Sequence, residues 1–297
     1  MKDTPLVTVL PIERKHGLAP SAFSREHLHG AGKPVVVTDA TERWQARSKW
    51  TFDFMKSEYG SDLVCPELGL HSGIGRLTKL ATYLDFIDDP TMDLDGFWVD
   101  VATKRPLPQA PELPDVPPYL VSWLAFQRHP ELFHDIEPAP GFVDDWVLTL
   151  SPLMRDQFET IACRGYWDVL IGPKGSQSSF HQDYRHTHAY LAQIQGRKRV
   201  MLLAPDDYQR LTDGRADALA PDNLQNLQPA GPAVAYEGVL NPGDLLFIPA
   251  DWWHWVDGLE KSITVSHNFF NAVNVSAHLD GMPLPHEAHE AHEAHEG

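Results

Sequence analysis

Between residues 178 and 205 the chain reads SSFHQDYRHTHAYLAQIQGRKRVMLLAP. Three strand-like runs follow one another here, SSFHQDY, AYLAQIQG and RVMLLAP. The same texture extends in both directions, to WDVLIG (167–172) upstream and to GDLLFIPADWWHWV (243–256) and SITVSHNFF (262–270) downstream. Short strands at close spacing, punctuated by Gly and Pro, argue for an antiparallel β-sandwich or barrel. The stretch DGRADALAPDNLQNLQPAGP (213–232) interrupts the series and reads as an insert over the barrel mouth.

Ahead of the barrel, KPVVVTD (33–39) reads as a buried strand from its β-branched run. TFDFMKSEYG (51–60) fits a short helix ending at Gly60, and LTKLATYLDFID (77–88) places apolar residues at helical spacing. RPLPQAPELPDVPP (105–118) is a proline-rich connector, extended over the surface. These readings divide the chain into a mixed segment at 1–118 packing on the barrel, a barrel unit at 119–276 and a tail at 277–297. The closing HEAHEAHEAHEG (286–297) has a three-residue period matching neither helix nor strand. Such a tract can bind a transition metal weakly, but it reads better as a solvated low-complexity tail and is left out of the site.

Composition narrows the function classes. The chain has 297 residues, 42% of them apolar, with nine Trp and thirteen Phe, enough for a sizeable core. Its formal net charge is -17, and its longest basic cluster is GRKR (196–199). A field of that sign repels phosphate backbones and anionic lipid, so nucleic acid and membrane surfaces are not expected partners. Cys65 and Cys163 stand far apart, as reduced thiols of a cytoplasmic protein do. The opening MKDTPLVTVLPIERK has no apolar leader, and no run approaches a membrane span in length.

The chemistry concentrates in HQD. Alternate residues of a strand share a face, so His181 and Asp183 project together while Gln182 points away. A third ligand must come from elsewhere, and His254 in PADWWHWV follows a strand and a turn. Two imidazoles and one carboxylate on one side of an ion leave positions open opposite, the facial arrangement of non-haem Fe(II) oxygenases. Lys198 shares a strand face with Val200 and Leu202. A lysine facing a barrel interior is costly unless an anion meets it, and a rim lysine that snorkels out is the blander reading.

HQD, AQIQGRKRVMLLAP and PADWWHWV together resemble the JmjC-type, cupin-like 2-oxoglutarate oxygenases, the group containing the asparaginyl hydroxylase of hypoxia-inducible factor. GKPVVVTDATERWQARSKWTFDFM resembles the family's amino-terminal segment, and 119–271 its double-stranded β-helix. The resemblance implies a mostly β fold with peripheral helices, a jelly roll of the cupin type. It implies Fe(II) held by His181, Asp183 and His254, with 2-oxoglutarate and O2 as co-substrates. It also implies that Lys198 anchors the far carboxylate of 2-oxoglutarate. Tyr119, Asn268 and Ser178 match, more loosely, positions that contact the same co-substrate.

The chain departs from the family pattern after HQD. The segment YRHTHAYLAQ is about two residues longer than usual, and Ala189 stands where relatives carry an asparagine. Thr187 or His188 is expected to take over its contacts. His186 and His188 fall on the opposite parity from His181 and read as supporting donors or pocket walls. The substrate is expected to be a small molecule or free amino acid, with a protein side chain as the alternative. The chain is expected to be a monomer, or a dimer not built from carboxy-terminal helices. The rival classes are a metal cupin that does not use 2-oxoglutarate and a non-catalytic cupin with a vestigial site.

Overall fold

The computed structural model describes residues 7–30, 32–68, 72–92, 94–109, 111, 116–121, 123–149, 166–212, 221, 224 and 231–280. Most of the 213–232 insert, the 286–297 tail and Cys163 lie outside them. The strands are β1 (Val7–Pro11), β2 (Glu13–Lys15), β3 (Val35–Val37), β4 (Leu63–Val64), β5 (Ile74–Lys79), β6 (Phe97–Asp100) and β7 (Trp167–Gly172). They continue as β8 (Gln177–His181), β9 (His188–Gln195), β10 (Lys198–Leu203), β11 (Ala233–Leu240), β12 (Leu245–Ile248), β13 (Trp253–Gly258) and β14 (Ser262–Phe269).

Strands β7 to β14 form the barrel. One sheet runs β11-β10-β13-β8 and the other β12-β9-β14-β7, all neighbours antiparallel. This is the double-stranded β-helix, or jelly roll, that the family resemblance implied, and it agrees with the antiparallel barrel read from the strand pattern. The amino-terminal strands extend both sheets. β1 pairs in parallel with β11, while β3 pairs with β12 and β2 with β3. A separate three-stranded sheet, β4-β5-β6, stands beside the barrel.

Alternation along each barrel strand sorts side chains between two environments. On β9, Ala189 and Leu191 face the interior with Val200, Leu202, Leu246 and Val256. Tyr190, Ala192 and Ile194 face outward, against Trp50, Met55, Tyr83 and Leu84 of the amino-terminal helices. Each fully buried Val, Leu or Phe side chain stabilises by about 1.5–3 kcal/mol over its exposed state. The barrel is thus packed from inside and outside, which leaves its polar inward positions conspicuous.

The hairpin from β9 to β10 is set by a glycine and a glutamine. Gly196 has φ +70°, and a Cβ there would lie 2.1 Å from the Lys261 carbonyl oxygen, so a larger residue would displace backbone. Fully buried Gln193 donates to the carbonyls of Gln195 and Gly196 at 2.7 and 3.1 Å and accepts from the Thr264 hydroxyl at 2.9 Å. The satisfied amide locks the turn that presents Lys198 at the start of β10.

The helix read at 51–60 spans Phe52–Tyr59; Thr51 caps it by accepting from the Phe54 N–H at 3.0 Å. The helix read at 77–88 begins only at Leu80, because Leu77 to Lys79 complete β5 and pair with β4 and, at Leu77, with β6. Helix Val275–Asp280 runs across position 276, so the chain continues in regular structure where the barrel unit was read to end. Among the described residues no helix is long and apolar enough to cross a membrane.

Candidate metal centre

β8 and β13 lie side by side with His181 opposite His254, their rings 4.1 Å apart between centroids. Asp183 follows the end of β8 in extended conformation, and its Oδ1 is 3.9 Å from His254 Nε2. One donor atom from each of His181, Asp183 and His254 lies within 4.8 Å of the others. Two cross-loop bonds hold this corner: the Gln182 amide donates to the Asp251 carbonyl, and His186 Nδ1 meets the Asp251 carboxylate, both at 2.6 Å.

The two histidines are oriented by backbone. Nδ1 of His181 lies 2.8 Å from the Ser179 carbonyl oxygen, and Nδ1 of His254 lies 3.2 Å from that of Trp252. A carbonyl oxygen only accepts, so each Nδ1 carries the hydrogen and each Nε2 presents a lone pair, the tautomer a metal ligand needs. The donor set of two neutral imidazoles and a carboxylate fits a divalent first-row metal better than a closed structural zinc site.

One cavity of about 770 Å³ is lined by this cluster and by Lys198, Tyr119, Ser178, Thr187 and Asn268. Lys198 is only 1% exposed, and its Nζ donates to the Tyr119 hydroxyl at 2.7 Å. Burial pulls its pKa from the ordinary 10.5 down to about 7. Tyr119 is carried by a short bridge to Glu67, and burial, with the Asp168 charge as a lesser cause, raises its hydroxyl pKa. A buried ammonium facing a cavity with a phenol as its hydrogen-bond partner fits an anionic ligand.

Ser178 and His181 both line the cavity although they stand three apart. Strict alternation would put them on opposite faces. The ladder explains it: Ser178 pairs with Val256 and His181 with His254, so three steps on β8 match two on β13. This β-bulge turns both residues inward. Thr187 accepts from the Asn268 amide at 3.0 Å and donates to the Tyr184 carbonyl at 3.0 Å. The residue expected to replace the family's asparagine is therefore tied to Asn268.

His188 faces the other way. It packs against Phe247 and Phe269, and its Nδ1 accepts from the Ala250 N–H at 2.9 Å. Burial lowers its pKa to about 4, which keeps it neutral. It supports the turn before β13 and does not reach the cavity contacts once expected of it. His186 is exposed and engaged with Asp251. Of the three tryptophans near His254, Trp252 is packed in the barrel interior, Trp255 in the outer core, and Trp253 stacks on Tyr208 at 3.6 Å.

Among the cavity residues that the sequence reading passed over, Asp168 and Arg185 bear on the chemistry. Asp168 is buried, and burial pushes its carboxyl up to about 7, partly offset by backbone N–H groups of Val169, Leu124 and Trp123. An acid inside the apolar run WDVLIG was the available signal. Arg185 is the other, and its position is described further below.

A jelly roll whose cavity is lined by a His-Asp-His cluster is the architecture of a cupin with a candidate metal centre. Residues 125–274 match the family described as the cupin-like domain, and the chain belongs to that family. It is 33% identical over 288 residues to the 2-oxoglutarate and iron-dependent oxygenase JMJD4 of Gallus gallus, covering 89% of this chain and 61% of the relative. It is 27% identical over 285 residues to the arginine-specific demethylase JMJ20 of Arabidopsis thaliana, covering 89% and 58%. Against the lysine-specific demethylase 8 of Xenopus tropicalis it is 28% identical over 254 residues, covering 82% and 49%. The chain thus spans about half to three-fifths of the length of these relatives. They agree with the JmjC-type resemblance read from the motifs.

Proposed function

We propose that this chain is an Fe(II)- and 2-oxoglutarate-dependent oxygenase that hydroxylates an unactivated carbon. The observation that carries the reading is the meeting, in one cavity, of the His181, Asp183 and His254 donor atoms with the buried Lys198. His181, Asp183 and His254 would hold the iron, and Lys198 with Tyr119 would receive the far carboxylate of 2-oxoglutarate. Ser178 and Asn268 would border the co-substrate, with Thr187 fixing the Asn268 amide. When bound, iron and 2-oxoglutarate supply oxidative decarboxylation: O2 is consumed, succinate and carbon dioxide leave, and one oxygen atom enters a substrate C–H bond. The chain's own part is to orient these groups and keep the cavity dry.

The names of the relatives favour a protein side chain as substrate, since two of them are called arginine- or lysine-specific demethylases. A free amino acid or other small molecule is the second reading, favoured by a cavity of about 770 Å³, within the size range of small-molecule sites. We place the protein in the cytoplasm on its cysteine usage.

The deciding experiment is anaerobic titration of the full chain with Fe(II) and 2-oxoglutarate. A weak visible charge-transfer band is expected, and admission of O2 with a substrate should release succinate. A cupin that does not use 2-oxoglutarate would give no band. Binding should also depend on pH. Free Lys198 titrates near 7, whereas a bound carboxylate favours its ammonium form, so binding above pH 7 takes up a proton. Affinity for 2-oxoglutarate should fall by up to about tenfold per pH unit above 7. Calorimetry in buffers of different ionisation enthalpy reads the uptake; an affinity flat from pH 6 to 9 would remove Lys198 from the contact.

A further inference from the structure

Arg185 stands two residues beyond Asp183, in the turn between β8 and β9. Its backbone is left-handed, with φ 55° and ψ 43°, and His186 follows with φ 56°. Two successive non-glycine residues in that region are strained, and such strain persists only where the surroundings impose it. Here they do. His278 Nδ1 donates to the Arg185 carbonyl at 2.9 Å, the Asn274 amide donates to the His186 carbonyl at 2.7 Å, and His186 is held by Asp251.

The side chain so presented lines the cavity that holds the His-Asp-His cluster. Its Nε and Nη1 are withdrawn from solvent and have no hydrogen-bond partner among the described residues. The chain carries 41 acidic and 24 basic residues, and several of its other arginines are paired with acids. Arg14, Arg197, Arg199 and Arg210 each have a carboxylate oxygen within 2.7 Å. Arg185 instead lies 5.0 Å from the centroid of the Tyr184 ring, a side chain 70% exposed at the same cavity. Two guanidinium nitrogens withdrawn from water without an acid are costly unless a ligand reaches them, and the group's planar fork suits a carboxylate.

We propose that Arg185 is the recognition point for a carboxylate on the molecule to be oxidised, separate from the 2-oxoglutarate anchor at Lys198. This rests on the oxygenase reading above. The carboxylate is a side-chain carboxylate, carried by a free acidic amino acid or by an acidic residue of a peptide, and the two sources are told apart by the probes.

The test uses the full chain with Fe(II) and 2-oxoglutarate under anaerobic conditions and follows perturbation of the charge-transfer band. The probes are free glutamate and aspartate against glutamine and asparagine, and the blocked tripeptides Ala-Glu-Ala and Ala-Asp-Ala against Ala-Gln-Ala and Ala-Asn-Ala. At least one acidic probe should perturb the band, and its amide counterpart should bind at least about tenfold more weakly. Arg185→Gln should lose that same factor for the acidic probe while giving the wild-type band with 2-oxoglutarate alone, which also reports that it is folded. Arg185→Lys, keeping the charge without the fork, should fall between. The assignment is overturned if acid and amide bind alike, if no acidic probe perturbs the band, or if Arg185→Gln binds the acid as wild type does. It is equally overturned if Arg185→Gln loses the band with 2-oxoglutarate alone, which would make the arginine a co-substrate contact. A wild-type protein with no band at all would instead fail the oxygenase reading, and this inference with it.

Discussion

Asp183→Ala should lose Fe(II) binding by more than about a hundredfold and, with it, the 2-oxoglutarate charge-transfer band. Groups that merely support a metal ligand are worth about 10- to 100-fold in affinity, so loss of the anionic ligand itself should exceed that range. Two neutral imidazoles remain in the variant, and nothing in the cluster balances the charge of the ion. The fold should be unaffected. Asp183 lies past the end of β8 and makes no side-chain cap bond to the turn that follows, so urea denaturation should match wild type within about 0.5 kcal/mol. Asp183→Asn separates charge from shape and should fail nearly as badly. Equilibrium dialysis reads the iron directly. Full iron occupancy in Asp183→Ala would remove the aspartate from the ligand set.

Lys198→Met should separate function from stability in opposite directions. Truncating one partner of a buried charge pair costs about 2–5 kcal/mol, so affinity for 2-oxoglutarate should fall at least about 30-fold. The protein without co-substrate should become more stable, by about 1–4 kcal/mol, because a desolvated cation is replaced by an apolar chain of similar length. The sign follows from the titration. Folded Lys198 titrates near 7 and the unfolded residue near 10.5, so the unfolded chain holds more protons between those values and wild-type stability climbs across that window. The burial penalty is complete below pH 7, so the gain of the methionine variant should be largest there and vanish towards pH 10.5. Thermal melts from pH 6 to 10 check it. A variant that is destabilised at pH 6 and still binds 2-oxoglutarate would contradict both halves.

Much of this site could be read from residue order, because strand parity and motif spacing are local properties. HQD and the placement of Lys198 with Val200 and Leu202 rest on period-two alternation, and His254 rests on its place after a strand and turn in PADWWHWV. What stayed hidden depended on departures from that period or on distant partners. β11 passed unread because AVAYEGVL mixes Ala, Glu and Gly, residues with little strand preference, and is held by pairing with β10 and β1. Leu77 to Lys79 read as helix because Leu77, Leu80 and Leu84 happen to lie at helical spacing, and only the β4 and β6 partners reveal a strand. The β8 bulge has no glycine to announce it. Arg185 and His186 adopt a left-handed turn without Gly or Asn, so composition offered no sign of where the guanidinium would go. His188 was judged by parity and did face away from His181, yet its work is at the turn before β13, which parity alone could not locate.

The extra strands at the barrel margins bear on how the family's shared core should be handled. The stretch common to the family starts at residue 125, whereas β1, β2 and β3 occupy the outer flanks of β11 and β12. Removing them would bare two rows of main-chain donors and acceptors, the kind of surface on which sheets from different molecules add to one another. The stretch that the family shares is therefore smaller than the unit that covers these sheet edges, and excision at residue 125 is expected to give a fragment that stacks more readily than the full chain.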